Sequence, residues 1–114
     1  MIAVIFELEP KASEKECYFS IAAELKSLVE KAEGLISLER FQSLSNPEKY
    51  LSLSFWRDED AVKAWRNNFE HRAAQVRGRS EIFQNYRLRV ASVIRDYGML
   101  ERDQTPEDSL AVDH

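Results

Sequence analysis

The order of strand-like and helix-like segments is the feature that most constrains what this chain can fold into. Four short segments are rich in apolar, aromatic and β-branched residues, as strands are. Two segments between them repeat apolar residues every three and four positions, as amphipathic helices do. The strand candidates are residues 2–8, 35–44, 49–56 and 83–97, and the helix candidates begin at Ser13 and Asp58. This β-α-β-β-α-β order predicts an α+β, ferredoxin-like fold with an antiparallel four-stranded sheet.

The first helix candidate has a start signal and a stop signal. Ser13, followed three residues later by Glu16, forms a capping box that satisfies free backbone N–H groups at a helix start. Gly34 marks the end, because glycine readily adopts the left-handed conformation that follows a last helical turn. Cys17 lies on the apolar stripe and is expected to be a small buried hydrophobe. The stripe comprises Cys17, Ile21, Leu25, Leu28, Val29 and Ala32.

The second helix candidate begins at Asp58, the predicted N-cap. Glu59 and Asp60 follow in the first turn, where negative charge interacts favourably with the helix dipole. Helical character is expected to continue through residues 72–76 and to stop before Gly78. The apolar stripe of this helix comprises Ala61, Val62, Trp65 and Phe69.

The third strand candidate presents two different faces. One face carries Leu51, Leu53 and Phe55, whereas the other combines aromatic rings with hydroxyl groups. That second face comprises Tyr50, Ser52, Ser54 and Trp56. Two helices cover one face of a four-stranded sheet and leave large apolar groups on the other. We therefore predict that a second copy of the chain covers this face, giving a homodimer, a dimeric α/β barrel.

Acidic residues are concentrated at the end of the chain. Residues 101–114 hold five acids and one base, which leaves 15 acids and 15 bases in residues 1–100. We therefore expect a folded domain in residues 1–100 and an acidic, disordered tail in residues 101–114. The formally neutral charge of residues 1–100 argues against nucleic acid as a partner, because a surface that binds nucleic acid needs a basic stripe.

The sequence also predicts the compartment. Cys17 is the only cysteine, so no intrachain disulfide can form, which is typical of a reducing compartment. No run of eighteen apolar residues is present, and the first residues lack the pattern of a signal peptide. We expect a cytoplasmic protein without a membrane partner.

Several local patterns along the chain resemble one known family. They are GLISLERFQS, LSLSFW, DEDAVKAWR, EHRAAQ followed two residues later by GR, and a final Tyr-x-Leu-Arg-Val-Ala strand. They resemble the antibiotic biosynthesis monooxygenase superfamily of small dimeric α+β barrel proteins, over most of residues 1–98. Members include oxygenases that convert phenolic or anthrone-type polycycles to quinones with molecular oxygen, without metal or flavin.

The resemblance implies a catalytic site on the second helix. Trp65 matches a pocket tryptophan of the quinone-forming oxygenases, and His71 stands where they have a tyrosine. Ala61 replaces their asparagine. A histidine can serve as a base toward a phenol or an acidic C–H, since imidazole titrates near neutral pH. Arg72 would stabilise the developing oxyanion, and neither a cofactor nor a metal is expected.

Two other functions remain open. Haem-degrading members carry an asparagine on the first strand, a tryptophan on the second helix and a histidine ten residues later. Trp65 matches that tryptophan, but Gln75 occupies the histidine position and the first strand, IAVIFEL, has no asparagine. The third possibility is a dimeric module that binds a small apolar ligand without catalysis.

Each candidate residue also has a purely structural interpretation. Trp65 could be a core residue, His71 a helix-end or interface residue, and Arg72 part of a salt bridge. The candidates for contact with a small aromatic substrate are Tyr50, Trp56, Phe69 and Gln75.

Overall fold

The structure is a computed structural model that describes residues 1–73 and 79–109. Within these ranges it describes all side chains except those of residues 69–73 and 79–80. The predicted order of elements is confirmed, with one additional short helix before the last strand. The elements are β1 (Ile2–Pro10), α1 (Lys15–Val29), β2 (Leu35–Gln42), β3 (Tyr50–Trp56), α2 (Glu59–Ala73), α3 (Arg79–Ile82) and β4 (Phe83–Ser92).

The four strands form one sheet in the order β2-β3-β1-β4, with every neighbouring pair antiparallel. This confirms the ferredoxin-like α+β fold. Ile2 pairs with Trp56 on one side and with Ser92 on the other. The last strand is shorter than predicted and ends at Ser92, which pairs with Ile2 at the start of β1. Val93 makes the final bond, donating its N–H to the carbonyl of Met1 over 3.0 Å.

The start of α1 differs from the prediction. A 3-10 turn at Ala12–Glu14 precedes the helix, and no side chain caps α1, so the capping box at Ser13 is wrong. The chain is held here by the backbone instead, since Lys11 N donates to the Ile82 carbonyl over 2.8 Å. The buried face of α1 is rotated toward Tyr18, and Cys17 is partly exposed at its edge rather than buried.

Both helices cover the same face of the sheet. Two apolar clusters lie between the helices and that face, one near the start of β1 and one near its end. The first contains Ile2, Val29, Trp56 and Ala61, and the second contains Leu8, Tyr18, Ala22 and Ile82. The strand residues of both clusters alternate with those of the opposite face, so no described helix covers that face.

We call the side that no described helix covers the open sheet face. The register places Ala3, Ile5, Leu51, Leu53 and Phe55 on it. Glu7 also lies there, and its carboxylate is 3.5 Å from Lys49 Nζ and 3.5 Å from Arg89 Nη1. The predicted separation of the two strand faces is therefore confirmed.

The chain after β4 forms a turn-rich segment that the structure describes as far as Ser109. Arg102 stabilises it with hydrogen bonds to the carbonyls of Gly98, at 3.3 Å, and Ser109, at 3.2 Å. The guanidinium of Arg102 also lies 5.6 Å from the ring centre of Tyr97. The division of the chain at residue 100 stays a prediction. None of the described helices has the length and hydrophobicity needed to cross a membrane.

Candidate functional site

The N-terminus of α2 is capped as the sequence predicts. Asp58 Oδ1 accepts a 2.9 Å hydrogen bond from the backbone N–H of Ala61. This bond, with a second one from Arg57 Nε at 3.1 Å, holds the pKa of Asp58 below its usual value. The cap fixes where α2 begins, and therefore where Trp65 lies relative to β3.

Two tryptophans stack at the contact between β3 and α2. Trp56 is 2% exposed and belongs to the core, whereas Trp65 is partly buried against the same cluster. The ring centroids are 6.4 Å apart and the ring planes differ by 26°. Trp56 Nε1 donates a 2.9 Å hydrogen bond to Ser54 Oγ. The predicted substrate contact Trp56 thus lies behind Trp65, in the core.

A half-open apolar surface lies on the helix side of β4. Tyr86 is 44% exposed, and Leu88 and Val90 are each 49% exposed, although they share a sheet face with the core. Val4 and Phe6 continue this surface on β1, opposite Val90 and Leu88. The three β4 side chains span four residue steps, or about 14 Å. We call this surface the β4 trough.

Aromatic rings border the trough near the end of β1. The rings of Phe6 and Tyr86 stack with centroids 5.8 Å apart and planes 9° from parallel. Phe83 contacts both, at centroid distances of 5.7 Å to Phe6 and 5.8 Å to Tyr86. Ring contacts at these distances are favourable for aromatic side chains.

The strands beneath the trough carry no charge on this side. The residues of β1 and β4 that face the helices are uncharged at every described position, namely Ile2, Val4, Phe6, Leu8, Tyr86, Leu88, Val90 and Ser92. The arginines of β4, Arg87 and Arg89, alternate onto the open sheet face instead. The strand floor therefore suits the uncharged, apolar part of a ligand.

The structure separates the candidate substrate contacts. Tyr50 pairs with Leu8 and packs among Tyr18 and Phe19, at the opposite end of β3 from Trp56. Six residues along a strand amount to about 20 Å, so Tyr50 and Trp65 do not share one small pocket.

The remaining candidates lie at the end of α2. Phe69, His71 and Arg72 belong to its last two turns, and their side chains are outside the described part. Gln75 lies outside the described residues altogether. Their roles stay predictions.

The sequence does not by itself predict the β4 trough. The alternation of Tyr86, Leu88 and Val90 is visible in it, but this pattern fits a fully covered strand face equally well. Because β4 is an edge strand, its helix-side face extends beyond the packed core and is left half exposed.

Comparison with known proteins places the chain in a family. Residues 1–77 match the family model for antibiotic biosynthesis monooxygenase. Over 93 residues the chain is 43% identical to the Jasmonate monooxygenase ABM of Pyricularia oryzae; this covers 82% of the chain but 43% of that relative. The chain thus spans less than half the length of that relative.

Two further comparisons agree with this. The YqjZ protein of Bacillus subtilis is 32% identical over 93 residues, which cover 82% of the chain and 79% of that protein. The solved structure of the haem degrader MhuD of Mycobacterium tuberculosis, with two haems in its active site, has a TM-score of 0.67. It is 20% identical, and the match covers 86% of this chain and 100% of that one, which shows a shared fold. By its sequence match and its fold, the chain belongs to the antibiotic biosynthesis monooxygenase family.

Proposed function

We propose that this chain is a monooxygenase that oxidises a small, largely apolar aromatic or polyketide-like compound with molecular oxygen. The β4 trough carries the proposal, because half-exposed apolar side chains on the helix side of a sheet form a surface that a ligand can cover. Membership of the family and the 43% sequence identity to a jasmonate monooxygenase support a monooxygenase reaction.

The size and charge of the trough limit the substrate. A floor about 14 Å long accommodates two or three fused rings or a short acyl chain with a ring. The uncharged floor favours a substrate whose buried part is neutral. Trp65 would form one wall, and the rings of Phe6 and Tyr86 would border the other end.

The proposed reaction needs a base and a group that stabilises an anion. His71 would remove a proton from a phenol or from a CH₂ group between aromatic rings, giving an electron-rich anion. Oxygen then adds to the carbanion carbon, and the hydroperoxide loses water to leave a carbonyl. One O₂ and one CH₂ group give one C=O and one water, so no external reductant is consumed. Arg72 would stabilise the oxyanion.

A homodimer is part of the proposal. The open sheet face carries a group of apolar side chains on β1 and β3, beside the charged Glu7 and Arg89, and no described helix of the same chain covers it. A second copy packing its own sheet face there would bury both sets and complete a dimeric α/β barrel. We place the protein in the cytoplasm.

Oxygen consumption tests the function. The purified protein is incubated with anthrone and related phenolic polycycles, and oxygen uptake and product mass are measured. We expect oxygen uptake and a product that has gained one oxygen atom and lost two hydrogen atoms; this turnover should be lost in His71→Ala and strongly reduced in Leu88→Glu. Leu44→Glu is the matched control, because Leu44 is fully exposed in the loop between β2 and β3. Unchanged turnover in His71→Ala would rule out His71 as the catalytic base.

A haem-binding function is the second candidate, favoured by the fold shared with a haem degrader and by Trp65 on α2. Gln75 in place of the ligand histidine, the missing asparagine in β1 and the uncharged trough floor argue against it. Titration with hemin distinguishes the two, since we expect no saturable Soret shift at micromolar protein. If ligands instead raise the melting temperature without any oxygen uptake, the protein is a binding module.

A further inference from the structure

Ser54 and Trp56 form a buried pair on β3, on the sheet face that carries the trough, where Ser54 pairs with Val4 of β1. Ser54 is 7% exposed and Trp56 is 2% exposed, and their side chains share one face of a strand in the interior of the sheet. Trp56 Nε1 donates to Ser54 Oγ over 2.9 Å. A buried indole N–H is costly without an acceptor, so this bond holds the Trp56 ring in one orientation.

The fixed ring of Trp56 is the surface on which Trp65 packs. Their 6.4 Å centroid distance lies within the roughly 4.5–7 Å range of favourable aromatic pairs, and their planes differ by 26°. Trp56 is held by the strand, whereas Trp65 projects from a helix and is partly buried. The orientation of the Trp65 indole therefore depends on that of Trp56.

We propose that Ser54 and Trp56 are positioning residues that hold Trp65 in the orientation a ligand meets in the trough. The proposal rests on the proposed function in one respect, namely that Trp65 contacts the ligand. Both residues are buried, so they act through Trp65 and not on the ligand. Loss of the Ser54 hydroxyl frees the Trp56 ring, and the Trp65 wall then fits the ligand less well.

The composition of the chain provides a direct readout. Trp56 and Trp65 are its only two tryptophans. Two indoles at this separation couple excitonically, so the stacked pair should give a couplet in the far-ultraviolet circular dichroism spectrum of the ligand-free protein. The couplet reports the arrangement of the pair without any substrate.

The test compares Ser54→Ala, Ser54→Thr and Trp56→Phe with the unaltered protein. Ser52→Ala is the matched control, since Ser52 lies on the same face of β3 and the indole N–H of Trp56 is bonded to Ser54 instead. We measure the couplet, the melting temperature and the Kd of the neutral probe 2-naphthol. In Ser54→Ala the couplet should weaken and Kd should rise roughly three- to tenfold, because binding must then order the loosened Trp65 side chain. Ser54→Thr, which keeps a hydroxyl, should restore both.

Two results would overturn the positioning role. One is a couplet and a naphthol affinity that survive Ser54→Ala unchanged. The other is a Trp56→Phe variant whose melting temperature falls while its naphthol affinity stays the same, because Trp56 would then be a packing residue alone. If the unaltered protein shows the couplet but binds no naphthol, the ligand site itself, and with it the proposed function, is wrong.

Discussion

Gly34 and Ala61 are in such close contact that a methyl group on Gly34 would lie 2.5 Å from Ala61 Cβ. Gly34 has a φ of +88°, in the left-handed region, at the turn between α1 and β2. Its carbonyl also accepts a 2.7 Å hydrogen bond from the N–H of Arg57. The contact therefore fixes the start of α2 against the turn that joins α1 to β2.

Gly34→Ala should destabilise the fold strongly. The left-handed conformation costs a non-glycine residue roughly 1–2 kcal/mol, and an overlap between two Cβ atoms adds about 1–3 kcal/mol because neither can rotate away. We expect the free energy of unfolding to fall by about 3 kcal/mol, measured by urea denaturation.

Gly98 provides the matched control for this substitution. A methyl group on Gly98 would have no heavy atom within 4 Å, so Gly98→Ala should leave the free energy of unfolding nearly unchanged. Adding Ala61→Gly to Gly34→Ala should recover part of the loss, because it removes the overlap but not the backbone strain. Equal stability of the two single glycine variants would contradict this explanation.

Asp58→Ala should destabilise α2 at neutral pH. Asp58→Asn should lose less stability, because asparagine keeps an oxygen that accepts the N–H of Ala61. The pKa of Asp58 is lowered first by that bond and then by Arg57. A lowered pKa contributes stability that is present above the ordinary value of 3.8 and is lost as the pH falls through the folded value.

The unaltered protein should therefore have a higher free energy of unfolding than Asp58→Asn at neutral pH, and this difference should shrink below about pH 4. Denaturant titrations at pH 7 and pH 3 measure it. A difference between the two proteins that is the same at both pH values would show that the carboxylate charge contributes nothing.

Tyr18→Phe should make the protein less sensitive to alkali. Burial raises the pKa of Tyr18 above 10.0, and the nearby Arg40 offsets part of the rise. For a phenol, a raised pKa means that the folded state disfavours the ionised form, so stability is lost once the pH exceeds the unfolded value. Above about pH 10 the unaltered protein should lose stability faster than Tyr18→Phe. Tyr97→Phe is the control, since Tyr97 lies outside the two core clusters.

The fold can be predicted from the sequence because its signals are local. Periodicity predicts the strands and helices, and Asp58 predicts the start of α2, since a cap depends on a few neighbouring residues. The failure at Ser13 has a non-local cause, because the backbone of Lys11 bonds to Ile82, far along the chain. Likewise Tyr18, and not Cys17, faces the core because aromatic partners from β3 and β4 meet it there.

The candidate site can be predicted only in part. Periodicity assigns Trp65 to the correct helix stripe, but its stacking on Trp56 depends on how α2 packs on β3. Tyr50 and Trp56 share a strand face, yet they lie at opposite ends of β3, and sharing a face does not bring them into one pocket. The β4 trough depends on which strand lies at the edge of the sheet, and no local pattern specifies the order β2-β3-β1-β4.

The same substitution on opposite sheet faces should separate assembly from ligand binding. Leu53 lies on the open sheet face between Ile5 and Glu39, and Leu88 lies on the helix side in the trough. In the proposed homodimer, Leu53→Glu buries an unpaired carboxylate, and a penalty of about 3 kcal/mol weakens dimerisation about a hundredfold. Leu88→Glu should leave the dimer intact and abolish naphthol binding. Sedimentation equilibrium and naphthol titration measure the two effects. A monomeric unaltered protein, or a Leu53→Glu variant that stays dimeric, would contradict the assignment of the open sheet face to a second copy.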